Sequence, residues 1–442
     1  MKKITFLLLL FLSKSLLSQN LVIPDINFKN ALLEHGNSIT SPIIWKIDTN
    51  NDGEIQMSEA IAYEGSINVE NKNITDLTGI EAFENIRYLF CYSNELTSLD
   101  VSHNTKLITL YCQYNQLTTI DVTQNNLLKY FYCGHNRFSN LDISQNIQLE
   151  SFACWNNQID NLDVTQNTLL QYFHCDENAI SNLDVTQNTN LTYLSCNGNL
   201  LTTLNITNNT RLLEIHCGRN DLNTLDISQN QDLTDLSCNQ NNLLALNLNN
   251  NPNLEFLNCH RNDLINLDLS SNLNLSKLYC GENNLTSLEL TQNQNLTEIY
   301  CFGNNLTVLN VANGNNTSIA EFSAINNPSL TCIQIDAGFV PVNNWLKDNS
   351  ASFSENCTLT TKDFIWNESV FCYPNPTYEK LTVGLKRNQK IDKLVLTTLE
   401  GRVISTIKNT TEMNLESVVA GVYLLRVATE EGKIYTQKII KK

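Results

Sequence analysis

Glycine and proline are scarce, at 15 and 7 of 442 residues, which excludes collagen-like and Pro/Gly-rich disordered chains. A chain this long still has to turn often, so another residue must make its turns. Charge is sparse as well: 17% charged is low for a disordered chain, and 42% apolar is enough for a core. Length alone allows two or three domains. Basic residues are the scarcer sign, 28 against 45 acidic, and they are unevenly placed. Tyr373 to Lys442 holds 12 basic and 7 acidic residues, while the other 372 residues hold 16 and 38. A body this acidic argues against nucleic acid as a partner, because phosphate binding needs the opposite field. No later segment approaches the roughly 20 apolar residues of a transmembrane helix. No G-x-S-x-G elbow, H-E-x-x-H, P-loop or dinucleotide fingerprint appears.

Met1-Lys2-Lys3 followed by the apolar run Ile4 to Leu12 reads as a secretory signal peptide over residues 1–19, too short to span a bilayer. The first cysteine is Cys91, so a lipid anchor at this end is not expected.

What is abundant is a period. Cys91, Cys112, Cys133, Cys154, Cys175, Cys196, Cys217, Cys238, Cys259, Cys280 and Cys301 stand 21 residues apart, and an Asn follows three residues after each, from Asn94 to Asn304. Apolar residues recur five, eight and ten positions after each Cys, and Leu, Ile or Phe two before it. Such a period marks a solenoid in which each unit buries its apolar face only against its neighbours. Cys suits a small buried position between stacked strands. The Asn amide, with donors and an acceptor, is expected to satisfy backbone groups where each rung turns, replacing glycine. In-register thiols point the same way, which argues against disulfides between rungs, and a straight column cannot converge tetrahedrally on zinc. Rungs at ~4.8 Å predict a parallel sheet roughly 50 Å long.

Leu107 to Leu117 reads L-x-x-L-x-C-x-x-N-x-L, and Leu117-x-x-Ile120-x-Val122-x-x-Asn125 repeats it within the same unit. This resembles the nested 21-residue leucine-rich repeats of bacterial surface proteins, over residues 66–330. Ile74 to Ile80 resembles the internalin-type variant, as a degenerate first rung. The fold this implies is an α/β solenoid dominated by β structure, with a small helical N-terminal cap at residues 20–65 and a C-terminal cap at 331–357. The resemblance also implies that Cys332 and Cys357, outside the ladder, pair in a disulfide closing that cap. By the chain-entropy account it would contribute ~3 kcal/mol.

Within the N-terminal cap, residues 48–59 place oxygen-bearing side chains at Asp48, Asn50 and Asp52, the turn glycine at Gly53, and Glu59 at the twelfth position. Glu54 would offer its carbonyl, Gln56 would act directly or through water, and Ile55 is the apolar plug. This is similar to an EF-hand loop and predicts structural Ca²⁺, with affinity around 10⁻⁴–10⁻³ M. An Asx-rich turn without metal is the plain alternative. Asp25 to His35 reads as a capped helix, Ser41-Pro42 caps a short one, and another starts over Ser58 to Tyr63.

After a linker at 358–372, the chain changes character. Short β-type runs at 380–384, 394–398, 401–404, 421–427 and 434–440 predict a small antiparallel, Ig-like β-sandwich. Tyr373-Pro-Asn-Pro376, Leu399-Glu-Gly-Arg-Val403, Ala420-Gly-Val-Tyr-Leu424 and the basic end Lys438 to Lys442 resemble the C-terminal sorting domain of the type IX secretion system of Bacteroidetes. The resemblance covers residues 373–442 and implies export across the outer membrane by that machinery, to a secreted or outer-membrane surface location.

Residues three before, one before and one after each Cys should face outward from the strand, on the concave sheet. They include Tyr111, Tyr130, Tyr132, Trp155, Tyr172, His174, Tyr193 and His216, with a second group at Tyr279, Tyr300 and Phe302. Outward aromatics on a rigid sheet suit a protein or glycan ligand, although tyrosines also pack well across strands. The column nine after each Cys, Asp100 to Asn310, reads as local turn capping, with weak cation binding as the minor alternative. His174, Ser195 and His216, with Glu214 and Asp235 nearby, occupy columns as variable as any surface, so no catalytic residues are assigned. The expected role is an adhesin-like secreted or surface binding protein, and the alternative is a structural or matrix component without a specific ligand.

Overall fold

In the computed structural model the 21-residue period becomes a coil of stacked rungs. The structure describes residues 19–36, 45–357, 370–385, 390–398, 402–430 and 434–442. Residues 1–18 of the expected signal peptide, the expected Ser41-Pro42 cap, residues 358–369 of the expected linker and residues 399–401 of the expected Leu-Glu-Gly-Arg-Val turn lie outside the described residues. The chain divides into two compact units, Met1–Glu355 and Asn356–Lys442.

In the first unit, fourteen parallel strands form one sheet. It starts with Ser66–Asn68 and Tyr88–Phe90, and continues in three-residue strands at 21-residue intervals from Thr109–Tyr111 to Glu298–Tyr300. It ends with Glu321–Ala324 and Trp345–Lys347. The ladder therefore runs past residue 330: the segment expected as a C-terminal cap contains strand pairing of the same kind, Phe322 opposite Trp345. A second parallel sheet joins Ser287–Glu289, Val308–Asn310, Cys332–Gln334 and Ser352–Ser354. It forms where the inner half of the repeat pairs as strand, and repeat spacing alone does not distinguish the rungs in which it does so.

Pairing is in register, with Leu110 opposite Phe131, Phe131 opposite Phe152 and Phe152 opposite Phe173. One apolar residue per strand thus stacks into a continuous inner column, and Phe131, Phe152 and Phe173 lie 5.7 and 5.8 Å apart, face to face. All eleven ladder cysteines are fully buried and free. Burial pushes the Cys91 thiol up to about 12, so these side chains act as small apolar fillers rather than nucleophiles. Cys372 is free as well, and Cys332 and Cys357 are disulfide-bonded.

Two asparagine columns replace glycine as turn-makers. In the column three after each Cys, Asn115 donates through Nδ2 to the carbonyls of Cys91 and Cys112, at 3.0 and 3.1 Å, and accepts from Leu96 N–H at 3.0 Å. One amide so ties two rungs and one turn, and the same bonds recur at Asn136 and Asn220. The residue just before each of these asparagines is left-handed, from Ser93 (φ 57°) to Glu282 (φ 50°), with glycine there at Gly198 and Gly303. Non-glycine residues are uncommon in that region, and here the amide network offsets their cost. The second column, Asn104 to Asn293, is buried too. Asn125 donates to the carbonyls of Val101 and Asn104 at 3.0 and 2.9 Å, but the Oδ1 atoms of this column have no hydrogen-bond partner.

The N-terminal end is closed by helix α1 (Ile26–Leu33) and helix α2 (Met57–Ala62). Asp25 caps α1 through Oδ1, which accepts from Asn27 and Phe28 N–H, while its Oδ2 accepts from Thr75 N–H and hydroxyl in the first rung. Phe28, Leu32, Ile47, Ile55 and Ala60 continue the solenoid core into the cap.

The second unit holds two antiparallel sheets. One contains Val370–Tyr373, Lys380–Leu385 and Glu412–Asn414; the other contains Ile391–Thr397, Val403–Lys408, Gly421–Thr429 and Ile434–Lys441. Alternation such as Leu394-Val-Leu396 and Leu425-Arg-Val427 fills its core. Strand Glu412–Asn414 has no counterpart in the sequence expectations, being short and polar at both ends. Among the described residues, no helix is long and apolar enough to cross a membrane.

Candidate functional site

The outward side chains of the first sheet meet in one run of ring contacts. Phe90 meets Tyr111 edge-on at 5.2 Å, and Tyr111 stacks on Tyr132 at 4.5 Å with planes 1° apart. Tyr132 reaches Tyr172 at 6.4 Å across Ala153, whose small side chain leaves room, and Tyr172 stacks on Tyr193 at 4.4 Å. Tyr193 ends on His216 at 5.5 Å. A parallel branch stacks Trp155 on His174 at 5.2 Å. A Cβ on Gly134 would fall within 2.5 Å of three indole atoms, so glycine there is what lets the indole lie flat on the preceding rung. All eight expected contact residues thus lie on this face, and seven belong to the run. Tyr130 stands aside, its hydroxyl donating to Glu150 at 3.2 Å. A second group follows after one polar rung, Asp235–Ser237: Phe256, Tyr279 and Tyr300 in edge-on contacts, and His260 with Phe302.

The loop at 48–59 folds around its own oxygens. Asp48 accepts from Asn51 and Gly53 N–H at 2.7 and 3.1 Å, and Asp52 accepts from Glu54 N–H at 2.9 Å. Asn50 Nδ2 donates to Asp52 Oδ2 at 3.0 Å and to Gln56 Oε1 at 2.9 Å. Glu59 accepts from Thr49 and Gln56 N–H at 2.7 and 3.0 Å. Glu54 is turned outward to Lys29 Nζ at 2.6 Å, leaving its carbonyl as the group it offers the loop.

Residues 372–442 match the family model described as a secretion system C-terminal sorting domain. The chain is also similar to the functional domain of InlJ from Listeria monocytogenes, described as including a cysteine ladder. They share 26% identity over 95% of this chain and 97% of that one, at a TM-score of 0.52. The chain is a leucine-rich repeat solenoid that ends in a type IX secretion sorting domain. An internalin (InlF) of the same bacterium matches 73% of this chain and 97% of that one, at 19% identity and a TM-score of 0.53. A leucine-rich repeat protein of Leptospira interrogans matches 65% of this chain and 78% of that one, at 19% identity and 0.50. Those two likenesses are of fold. No curated protein sequence matches the chain. The sorting domain marks a secreted or outer-surface protein.

With the repeat established, the remaining polar groups of the solenoid sort themselves. Asp176, one after Cys175, is the residue that sequence reasoning passed over. It accepts from Ser195 Oγ at 2.6 Å and from Asn197 N–H and Nδ2 at 2.8 and 3.0 Å, and lies 3.2 Å from His174 Nε2. Burial opposes its charge, but the bonds from His174, Ser195 and Asn197 outweigh burial and hold the carboxyl below its ordinary value. Only placing His174, Asp176 and Ser195 on adjacent rungs would have revealed it. The order is wrong for nucleophilic catalysis, since the carboxylate sits between serine and histidine and the serine is buried.

The leucine-rich repeat's Asp column caps turns. Asp121 Oδ1 accepts from Thr123 N–H at 2.9 Å and from its hydroxyl at 2.7 Å, and Asp163 and Asp184 do the same. Hydrogen bonds from Thr123 hold Asp121 below its ordinary pKa despite Asp100 and Asp142 on the neighbouring rungs.

Proposed function

We propose that this solenoid is an adhesin-like binding protein that recognises a macromolecule, a protein or a glycan, on its concave aromatic sheet and does no chemistry on it. The observation that carries this reading is the continuity of the ring contacts from Phe90 to His216, an aromatic surface that a rigid parallel sheet holds ready for contact. The same cross-rung packing would serve a structural matrix component, and one experiment separates the two. Wild-type protein and the Tyr132→Ala and Trp155→Ala variants are assayed on a panel of matrix proteins and a glycan array, with melting measured alongside. A binding role predicts capture by the wild type that both variants lose with melting nearly unchanged; no capture by the wild type favours the structural role.

We further propose that residues 1–19 direct export, that the sorting domain hands the chain to the type IX machinery, and that the 48–59 loop holds a structural Ca²⁺. Fit of the loop to the ion is supported by one feature: Asp52 and Gln56 present oxygens to a single amide nitrogen of Asn50, on a loop that also carries Asp48 and Glu59. Hard carboxylate and amide oxygens are the donor set Ca²⁺ prefers. Asp48, Asn50, Asp52, Gln56, Glu59 and the Glu54 carbonyl would hold it. If so, calcium raises the melting temperature of the wild type over that in chelator, and Asp48→Ala with Glu59→Ala removes the difference. Equal melting of the wild type in both would reduce the loop to a turn.

A further inference from the structure

We infer that the concave sheet takes a basic protein segment, seating a lysine or arginine side chain between Glu214 and Asp235, rather than a glycan. The inference rests on the binding role proposed above and names its ligand class.

Ring geometry argues against sugar. A sugar ring stacks on an open aromatic face, whereas here the faces are spent on each other. Tyr111 lies between Phe90 and Tyr132, and Tyr172 between Tyr132 and Tyr193. Trp155 lies between the Gly134 backbone and His174. Along this stacked run the groups left for a partner are chiefly ring edges and phenol hydroxyls, which suit the mixed apolar and hydrogen-bonding contacts of a protein interface.

Charge argues for a basic partner. Other carboxylates at the outward positions have bonded partners: Glu298 has Lys277 and the Tyr279 hydroxyl, Glu321 opposite it has the Tyr300 hydroxyl, and Asp176 has His174, Ser195 and Asn197. Glu214 and Asp235 are different. They are direct neighbours on adjacent parallel strands, so their like charges repel. Among the described residues the only ionisable group that meets both is His216, at 3.7 and 3.8 Å. Asp235 Oδ1 is buried without a hydrogen bond, and burial together with Glu214 raises its carboxyl pKa while His216 opposes the rise. A cation placed there relieves both the repulsion and the missing bond. The pair sits in the polar saddle between the two aromatic groups. From His174 to Tyr279 is five rungs, about 24 Å at ~4.8 Å each, the reach of roughly seven extended residues. The fitting segment is therefore short, apolar at both ends and cationic in the middle.

A random 12-residue phage-displayed peptide library and a glycan array are applied to the full chain. The expected result is enrichment of peptides with Lys or Arg between apolar residues. A synthetic copy should bind roughly tenfold more weakly to the Glu214→Gln/Asp235→Asn protein, and its wild-type affinity should fall with added salt. Enrichment of neutral or acidic peptides, or salt-independent affinity, overturns the inference. Glycan capture without peptide enrichment also overturns it, and if Trp155→Ala abolishes that capture, the binding role on this face survives alone. Basic peptides indifferent to the charge variant overturn it too, and indifference to Tyr132→Ala and Trp155→Ala as well, or no binding at all, removes both readings.

Discussion

Phe131 and its neighbours Tyr130 and Tyr132 share one three-residue strand, yet the middle ring is fully buried and the outer two reach solvent. Along the coil the middle position is Leu, Ile or Phe in every cysteine rung, whereas the outer positions pass through Tyr, Thr, Ser, Glu, Asp, Phe and Lys. The inner column is constrained because each side chain fills a fixed gap between two identical neighbours. Outer columns bear no such constraint, so their aromatic clustering calls for another cause, which we place in binding. If that division is right, truncation on the two sides should differ sharply. Phe152→Ala leaves a cavity between Phe131 and Phe173 and should cost about 3–5 kcal/mol, while Tyr132→Ala, on the face, should cost about 1 kcal/mol or less. Urea unfolding of both variants measures it, and equal losses would mean that the outward rings are structural.

The two asparagine columns sharpen the contrast within the interior. Asn115 uses both ends of its amide, so Asn115→Ala orphans the buried Leu96 N–H and removes one of the two amide donors from each of the Cys91 and Cys112 carbonyls, which keep Asn94 and Asn136. Asn125→Ala removes two donations but also an oxygen that has no partner. Because the cost lies in buried groups left unpaired, Asn115→Ala should lose about 3 kcal/mol and Asn125→Ala about half that. The same urea titrations rank them, and a reversed order would show that the Asn125 oxygen is bonded in solution.

Period, strand direction, inner and outer columns, the capped helix at Asp25 and the sandwich at the end were all legible in the sequence, because each depends on spacing that repeats or on a local cap. Two kinds of feature were not. The second sheet arises only where the inner halves of the last rungs straighten enough to pair, and residues 287–289 look no different from their counterparts upstream. The Asp176 network needs Ser195 and Asn197 one rung away, and a contact between rungs has no signature in the order of residues. The left-handed positions escaped too, since Tyr114, His135 and Arg219 carry none of the usual marks of a positive φ. The asparagine that follows each of them is the cause.

The smallest expected effect lies at the N-terminal end, where the repeat gives way to a cap held by single bonds. His35 is buried, with Nδ1 2.6 Å from the Ala31 carbonyl and Nε2 accepting from Asn68 N–H at 3.0 Å, so it joins α1 to the first strand only while neutral. Burial holds its pKa below the ordinary 6.5, Lys72 adds to that, and the Ala31 carbonyl and Glu34 oppose it. Because the folded value is the lower one, the unfolded chain takes up the proton first. Stability contributed by His35 is therefore complete above pH 6.5 and is lost as pH falls below it toward the folded value. A proton on Nε2 would also turn an acceptor into a donor facing the Asn68 N–H. Hydrogen exchange at the Asn68 amide should then speed up between pH 7.5 and 5, beyond the intrinsic change, in the wild type. In His35→Gln, whose side chain can accept from Asn68 without titrating, that extra opening should vanish. If the variant and the wild type open equally with acid, the joint between cap and coil is held by the Asp25–Thr75 bonds and the buried Phe28 and Leu32, without a contribution from His35.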